Sequence, residues 1–339
     1  MSVKLYKEFK DFHDEIKLDK ESSNLKEKRE ILQKDISDKL PEELKKIGMD
    51  VNSSDFHFFD QGSYRQNVST GIESGSVDRD VAIEFEINID EFNDPRKIKK
   101  CVRDALYIEN KRIPKIKEPC VTISYMKAGD EDIHIDFPIY AIKDGNRYLA
   151  RGKEHSENKK WEKCDPHGLN DYMDKLFSGD DGNQLRRIIR YLKKWKEETY
   201  SESTSKDQKP AGIALTLLAG QVFEYKQVDG QDDDLKALHT VLFNIKNLFT
   251  YDFLNDRYTI VCKLPVEPWS DTFYKMTENN KDIFYKKICT FYDNVHNAVL
   301  ASEEYEAAKF LRKSFGEDFK LPPEPITAYG KPKRENSYA

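Results

Sequence analysis

Asp78 and Asp80 stand two residues apart in Val77-Asp78-Arg79-Asp80-Val81, just before a run in which Val81, Ile83, Phe85 and Ile87 alternate with Ala82, Glu84 and Glu86. A period of two defines a strand, with the apolar set turned into a core and both aspartates projecting from the opposite face. Two carboxylates held that close repel one another unless a cation neutralises them. Magnesium is the natural candidate, because it takes carboxylate and phosphate oxygens, with manganese as a substitute. Asp136, in Asp132-Ile133-His134-Ile135-Asp136-Phe137-Pro138, again lies opposite an alternating apolar set. If this strand runs beside the first, three carboxylates converge, as a two-ion phosphoryl or nucleotidyl transfer site requires.

Upstream, Gln61-Gly62-Ser63 interrupts a short apolar strand at 55–59 and begins a turn or a helix. A Gly-Ser turn there offers backbone N–H groups and a hydroxyl to a phosphate. Asp-x-Asp alone, or Gly-Ser alone, suits an ordinary turn. The ordered series of strand, Gly-Ser, Asp-x-Asp on a strand and Asp on a later strand is more specific.

These residues need a scaffold, and the hydrophobic periodicity describes one. Leu25, Leu32, Ile36 and Leu40 mark a helix that Pro41 ends or follows with a new one. Strands are expected at 81–87, 121–125 and 133–137, with a helix over 95–108 between them. Residues 1–165 thus read as mixed α and β around a small sheet. The second half is mainly helical. Leu185, Ile188, Ile189, Leu192 and Trp195 form one amphipathic stripe, and further helices fall at 213–223, 235–249, 283–299 and 303–315, the last closed by Gly316. Opposite the 185–195 stripe, Arg186, Arg190 and Lys193 make a basic face, whereas Arg187 and Lys194 read as surface residues. His134 shares the Asp136 face and reads as structural. His155 and His167 read as loop residues without metal-ligand spacing, and the acidic run 229–234 as a solvated loop.

The 339 residues carry a net charge of −6, with 38% hydrophobic, 35% charged and 12% aromatic residues. That composition suits a soluble two-lobed globular chain and argues against a dedicated binder of long nucleic acid. The longest apolar stretch, at 212–223, is far shorter than a bilayer span of roughly 20 residues. The N-terminal residues lack the apolar core of a secretory signal. Five scattered cysteines with no Cys-x-x-Cys pair suit reduced thiols. A cytoplasmic location and no membrane partner are therefore expected.

Gln61-Gly62-Ser63-Tyr64, Val77-Asp78-Arg79-Asp80-Val81 and His134-Ile135-Asp136-Phe137-Pro138-Ile139-Tyr140-Ala141 together resemble the polymerase-β-like nucleotidyltransferases. Asp165-Pro166, the run from Gln184 to Lys196, the Pro210-led apolar helix and the segment from Glu306 to Phe315-Gly316 resemble in particular the bacterial cGAS/DncV-like nucleotidyltransferases (CD-NTases). The resemblance spans roughly residues 55–320.

The resemblance implies a bilobed α/β (α+β) polymerase-β-like fold. Residues 1–165 would hold the catalytic core with an N-terminal helix, 166–320 a helical lobe closing the nucleotide cleft, and 321–339 a flexible tail. It implies that Asp78, Asp80 and Asp136 bind two magnesium or manganese ions, with Asp136 helping to deprotonate the attacking ribose hydroxyl. Gln61, Gly62 and Ser63 would hold the donor triphosphate, Lys193 with Arg186 and Arg190 would contact phosphate, and Tyr140 would stack on a base. The implied reaction joins NTPs, ATP or GTP among them, into a cyclic di- or trinucleotide signal in anti-phage (CBASS-type) defence, read by a separate effector protein. A partner could conjugate or activate the chain through its tail. One position departs from the family: where a phosphate-contacting serine often follows the helix-starting proline, Pro210 is followed by Ala211-Gly212. A linear oligonucleotide synthase or an RNA-extending enzyme is the alternative, and a catalytically silent nucleotide-binding module the other contrast.

Overall fold

The computed structural model describes residues 4–18, 23–71, 77–127, 130–201, 203–205 and 207–325. In chain order the elements are α1 (Tyr6–Ile16), α2 (Ser23–Lys45), β1 (Phe56–Gln61), α3 (Gly62–Arg65), β2 (Val77–Glu86), α4 (Pro95–Leu106), β3 (Lys115–Ile116), β4 (Cys120–Lys127), β5 (Asp130–Lys143), β6 (Asn146–Arg151) and β7 (Lys160–Cys164). Then follow α5 (Pro166–Leu176), α6 (Gly179–Thr199), α7 (Gly212–Val222), β8 (Gln227–Val228), β9 (Gln231–Asp232), α8 (Asp234–Asn247), β10 (Thr250–Asp252), β11 (Arg257–Thr259), α9 (Glu278–Leu300) and α10 (Glu304–Phe315). The mixed α/β architecture with a helical second half is the one expected.

The main sheet runs β1-β2-β5-β4-β3, with β6 paired to β5 and β7 to β6. The β2–β5 pair is parallel and its neighbours are antiparallel. A parallel pair needs a crossover, which the intervening α4 supplies. Ile83, Phe85, Ile135, Phe137 and Ile139 are buried against Leu32, Ile36 and Leu40 of α2 and Ile98 and Val102 of α4. Each such apolar side chain contributes about 1.5–3 kcal/mol on burial.

A second core joins α6, α7, α8, α9 and α10. Leu5, Phe9, Phe12 and Ile16 also belong to it, so α1 packs with the helices and not with the sheet. Their helical spacing was present in the sequence but not read.

Several expectations are corrected. Pro41 lies inside α2, which continues to Lys45. Leu40 and Leu44 are both fully buried, so packing carries the helix past the backbone hydrogen bond that proline lacks. Strand β2 is buried on both faces, since Ala82 and Glu84 are as inaccessible as Val81 and Ile83. Lys194 is not a surface residue: it is 3% exposed and pairs with Glu198 and Asp318 at 2.8 and 2.5 Å. Arg187 is tied to Asp232 and Asp234, each at 2.7 Å. The acidic run is therefore a solvated turn only over 229–231, with Asp232 half-buried and Asp233 and Asp234 buried. Asp233 caps α8 by accepting from the Lys236 N–H, and Asp234 is buried and accepts from the Tyr191 hydroxyl at 2.8 Å. His167 sits in the first turn of α5, not in a loop. Gly316 closes α10 with φ +68°, as expected. Of the tail, residues 326–339 lie outside the described residues.

Candidate active site

The register across the sheet lines up the chemistry. Gln61 pairs with Asp80, Asp80 with Asp136, and Asp136 with Thr122, on four adjacent strands. Asp78 lies one step along β2, opposite His134, with its side chain exposed. Arg79, between the two aspartates, points to the other face. It is 4% exposed, donates to Asp60 at 2.9 Å and lies over the Tyr64 ring at 4.2 Å.

Asp80 and Asp136 are therefore brought together, with Asp78 close enough to add its charge. Burial first, then the Asp136 and Asp78 charges, push the Asp80 carboxyl up to about 7, against a weaker opposing pull from Lys117. Oδ1 of Asp136 is buried without a hydrogen-bond partner, and Lys117 Nζ stands 3.6 Å away. Among the described residues, no three His, Cys, Asp or Glu side chains are already gathered closely enough to ligate one ion. The carboxylates nonetheless suit divalent cations: Asp80 and Asp136 are register partners, and one Asp136 oxygen is buried without a hydrogen-bond partner. Lys117 was not singled out from the sequence. Its position on the turn between β3 and β4 becomes evident only once the strands are paired.

Gly62 joins the turn to this centre. Its φ is +77°, and a Cβ there would sit 2.1 Å from Asp80 Oδ2. Only glycine permits both the backbone conformation and the close approach. Ser63 follows in α3, and its hydroxyl is 3.0 Å from that of Ser69. Gln61, Gly62 and Ser63 line a cavity of about 320 Å³ with Gln66, Pro166, Leu169, Asn170, Lys193, Gly212, Ile213 and Thr216. Pro166, Leu169 and Ile213 also line an adjoining cavity of about 360 Å³, which continues past Leu149, Arg151, Leu264 and Tyr274. Asn170, missed in the sequence, is 7% exposed and donates to the Asp60 carbonyl at 3.2 Å.

The basic face of α6 differs from the expectation. Arg190 and Lys193 are 4% and 7% exposed, and neither presents an open charged surface. Lys193 donates to the Val68 carbonyl at 2.7 Å and borders the smaller cavity beside Ser63 and Gly212. Burial, reinforced by Lys196 and Arg190, pushes its ammonium down to about 7. Arg190 and Arg186 donate to the carbonyls of Asn67 and Gln66 and do not border that cavity. They hold backbone because the segment after α3 lies directly on α6.

Tyr140 is likewise not an open stacking surface. It is 5% exposed, packs against Phe59 at 5.9 Å between centroids and donates to Gln61 Oε1 at 3.0 Å. Burial pushes its hydroxyl well above the usual range. His134 is satisfied by Ser124 at 2.9 Å, as a structural histidine should be. Glu84 gathers Arg147, His167 and His57 at 2.8, 3.0 and 2.6 Å. Burial opposes its charge, but these partners outweigh it and hold the carboxyl at about 2.

Residues 56–140 match the family described as cyclic GMP-AMP synthase DncV-like, nucleotidyltransferase domain. No curated protein sequence matches. Among solved structures, Vibrio cholerae DncV cyclic AMP-GMP synthase in complex with the linear intermediate 5′ pppA(3′,5′)pG is 18% identical, with a TM-score of 0.71 over 96% of this chain and 100% of that one. The apo form of Vibrio cholerae DncV is 17% identical, with a TM-score of 0.70 over 94% and 96%. Its GTP-bound form is 18% identical, with the same TM-score and coverage. The fold and the matched domain define a nucleotidyltransferase. Residues 56–140 thus match a DncV-like nucleotidyltransferase domain, and the chain as a whole shares the fold of DncV.

Proposed function

We propose that the chain joins nucleoside triphosphates into a cyclic di- or trinucleotide by attack of a ribose hydroxyl on an NTP α-phosphate, with pyrophosphate leaving. The observation that carries this reading is the pairing of Asp80 with Asp136 against Gly62, which with Ser63 and Lys193 lines one cavity. Asp78, Asp80 and Asp136 would hold two divalent cations, magnesium or manganese, whose bound chemistry is charge neutralisation of the triphosphate and activation of the hydroxyl.

The chain's own residues bind and align. Ser63 and Lys193 hold donor phosphates, Gln61 is fixed by Tyr140, and Asp136 takes the proton of the attacking hydroxyl. Phosphoryl chemistry asks little more of a protein than position and charge. Ala211-Gly212 offers no hydroxyl at the start of α7, so Lys193, whose Cε would stand 3.7 Å from a Cβ at Gly212, carries that side of the phosphate site. A role in anti-phage signalling through a separate effector, and conjugation or activation through the tail, belong to the same reading. Among the described residues no helix is long and apolar enough to cross a membrane.

The test is incubation of the purified chain with all four NTPs and Mg²⁺ or Mn²⁺, phosphatase treatment and mass spectrometry, with Asp78→Ala/Asp80→Ala as control. A phosphatase-resistant cyclic product, absent from the control, is expected. Linear products alone would favour the oligonucleotide-extending alternative.

A further inference from the structure

Segment 66–70 connects the Gly-Ser turn toward strand β2, and helix α6 grips it residue by residue. Arg186 Nε donates to the Gln66 carbonyl at 3.2 Å, and Arg190 donates to the Asn67 carbonyl at 2.5 Å and its side-chain Oδ1 at 2.9 Å. Lys193 donates to the Val68 carbonyl at 2.7 Å, and Arg190 Nε to the Ser69 carbonyl at 3.3 Å. The Thr70 hydroxyl donates to Glu197 at 3.1 Å. One helical face at 186, 190, 193 and 197 thus fixes five consecutive residues. Arg190 is itself braced by His13 of α1 at 2.9 Å.

Beside Gln66 and Lys193, which border the candidate phosphate site themselves, the gripped segment holds Ser63 through two contacts. Ser69 Oγ lies 3.0 Å from Ser63 Oγ, and the Val68 N–H donates to the Ser63 carbonyl at 3.0 Å. Ser63 and Lys193 border the same cavity, and Ser69 does not.

We propose that Ser69 is a positioning residue: held on α6 by Arg190, it orients the Ser63 hydroxyl toward the donor phosphates. This rests on the reading that the cavity beside Ser63 takes an NTP. A hydroxyl free to rotate spends part of its time turned away from its ligand. A partner fixed on both sides by rigid backbone removes that freedom before the nucleotide arrives. The contribution is that of one neutral hydrogen bond, about 3- to 10-fold in affinity.

The test is a double-mutant cycle on the full chain, reading equilibrium binding of ATP and of GTP in the presence of Mg²⁺. Ser69→Ala is expected to weaken binding about 3- to 10-fold in the wild-type background and to have no further effect in a Ser63→Ala background. Ser69→Thr, which keeps the hydroxyl, is expected to recover most of the loss, as a purely structural role for the methylene would not require. An unchanged affinity for Ser69→Ala overturns the proposal. A Ser69→Ala loss that persists undiminished without the Ser63 hydroxyl also overturns it, because Ser69 would then act on its own. Absence of binding by the unsubstituted chain to any of the four NTPs would instead remove the nucleotide reading, and this proposal with it.

Discussion

Asp80 and Asp136 are direct partners across the parallel β2–β5 pair, and burial with its neighbours' charges pushes the Asp80 carboxyl up to about 7. The fold thus maintains a local repulsion that a hydrophobic or amide pair would not have. Asp80→Asn relieves it. In Mg²⁺-free buffer the variant is expected to melt a few degrees higher than the unsubstituted chain, and to lose nucleotidyl transfer. Adding Mg²⁺ with ATP should raise the melting temperature of the unsubstituted chain and leave that of the variant nearly unmoved. Calorimetry with and without the metal checks both statements. Equal stabilisation of the two proteins would contradict the assignment of Asp80 as a cation-holding carboxylate.

Gly62 gives a sharper geometric prediction. A methyl group there meets Asp80 Oδ2 at 2.1 Å, and φ is +77°. Gly62→Ala is expected to cost about 1 kcal/mol of stability through the backbone conformation. The displacement of Asp80 matters more, because a shift near 1 Å at a reacting centre costs on the order of 100-fold in rate. Activity should therefore fall about 100-fold while circular dichroism stays native. A variant that retained full turnover would detach the Gly-Ser turn from the chemistry.

Much of this site was legible beforehand because strands reveal their faces. Alternation alone put Asp78, Asp80 and Asp136 opposite Val81, Ile83, Ile135 and Phe137, and the paired strands agree. Amphipathic spacing likewise located α6, α9 and α10. What alternation does not carry is which neighbour covers a polar face. Arg190, Lys193 and Lys194 stand opposite an apolar stripe, which on an isolated helix means solvent. Here segment 66–70 and the 316–318 turn lie over them, so their charges are spent on carbonyls and carboxylates inside the fold. Tyr140 and Glu84 show the same limit, since both faces of their strands are covered. The length of α2 past Pro41 was misread because proline's local preference is weaker than two fully buried leucines.

Glu84 carries a pH dependence that follows from its partners. Arg147, His167 and His57 hold its carboxyl at about 2, below the ordinary 4.5, despite burial acting the other way. A depressed carboxyl contributes stability that is fully present above its unfolded value and is lost as pH falls through the folded one. Stability should therefore decline between about pH 4.5 and about pH 2 with a component from this group. Glu84→Gln is expected to lower stability by about 2 kcal/mol at pH 7 and to flatten that part of the acid limb. Denaturant titrations of both proteins at pH 7, 4 and 3 measure it. Because His167 begins α5, which walls the cavity with Pro166 and Leu169, nucleotide affinity should fall in parallel. An acid limb of unchanged slope would show that Glu84 is not the group that titrates.

Tyr140 separates two roles that one aromatic residue can play. Its ring is buried against Phe59, and its hydroxyl donates to Gln61 Oε1. If the ring stacked on a nucleobase, Tyr140→Phe would be nearly silent, because phenylalanine keeps the π-face. If the hydroxyl fixes Gln61 beside the phosphates, the same substitution leaves a half-buried amide with one partner missing. The expected result is a rise of about 3- to 10-fold in KM for the donor NTP, with kcat within about twofold. Tyr140→Leu should then be worse in stability, since it also removes the packing on Phe59, but no worse in its KM-to-kcat pattern. Steady-state kinetics of the two variants decide between the roles: a silent phenylalanine together with a damaging leucine would return Tyr140 to the part of an aromatic surface.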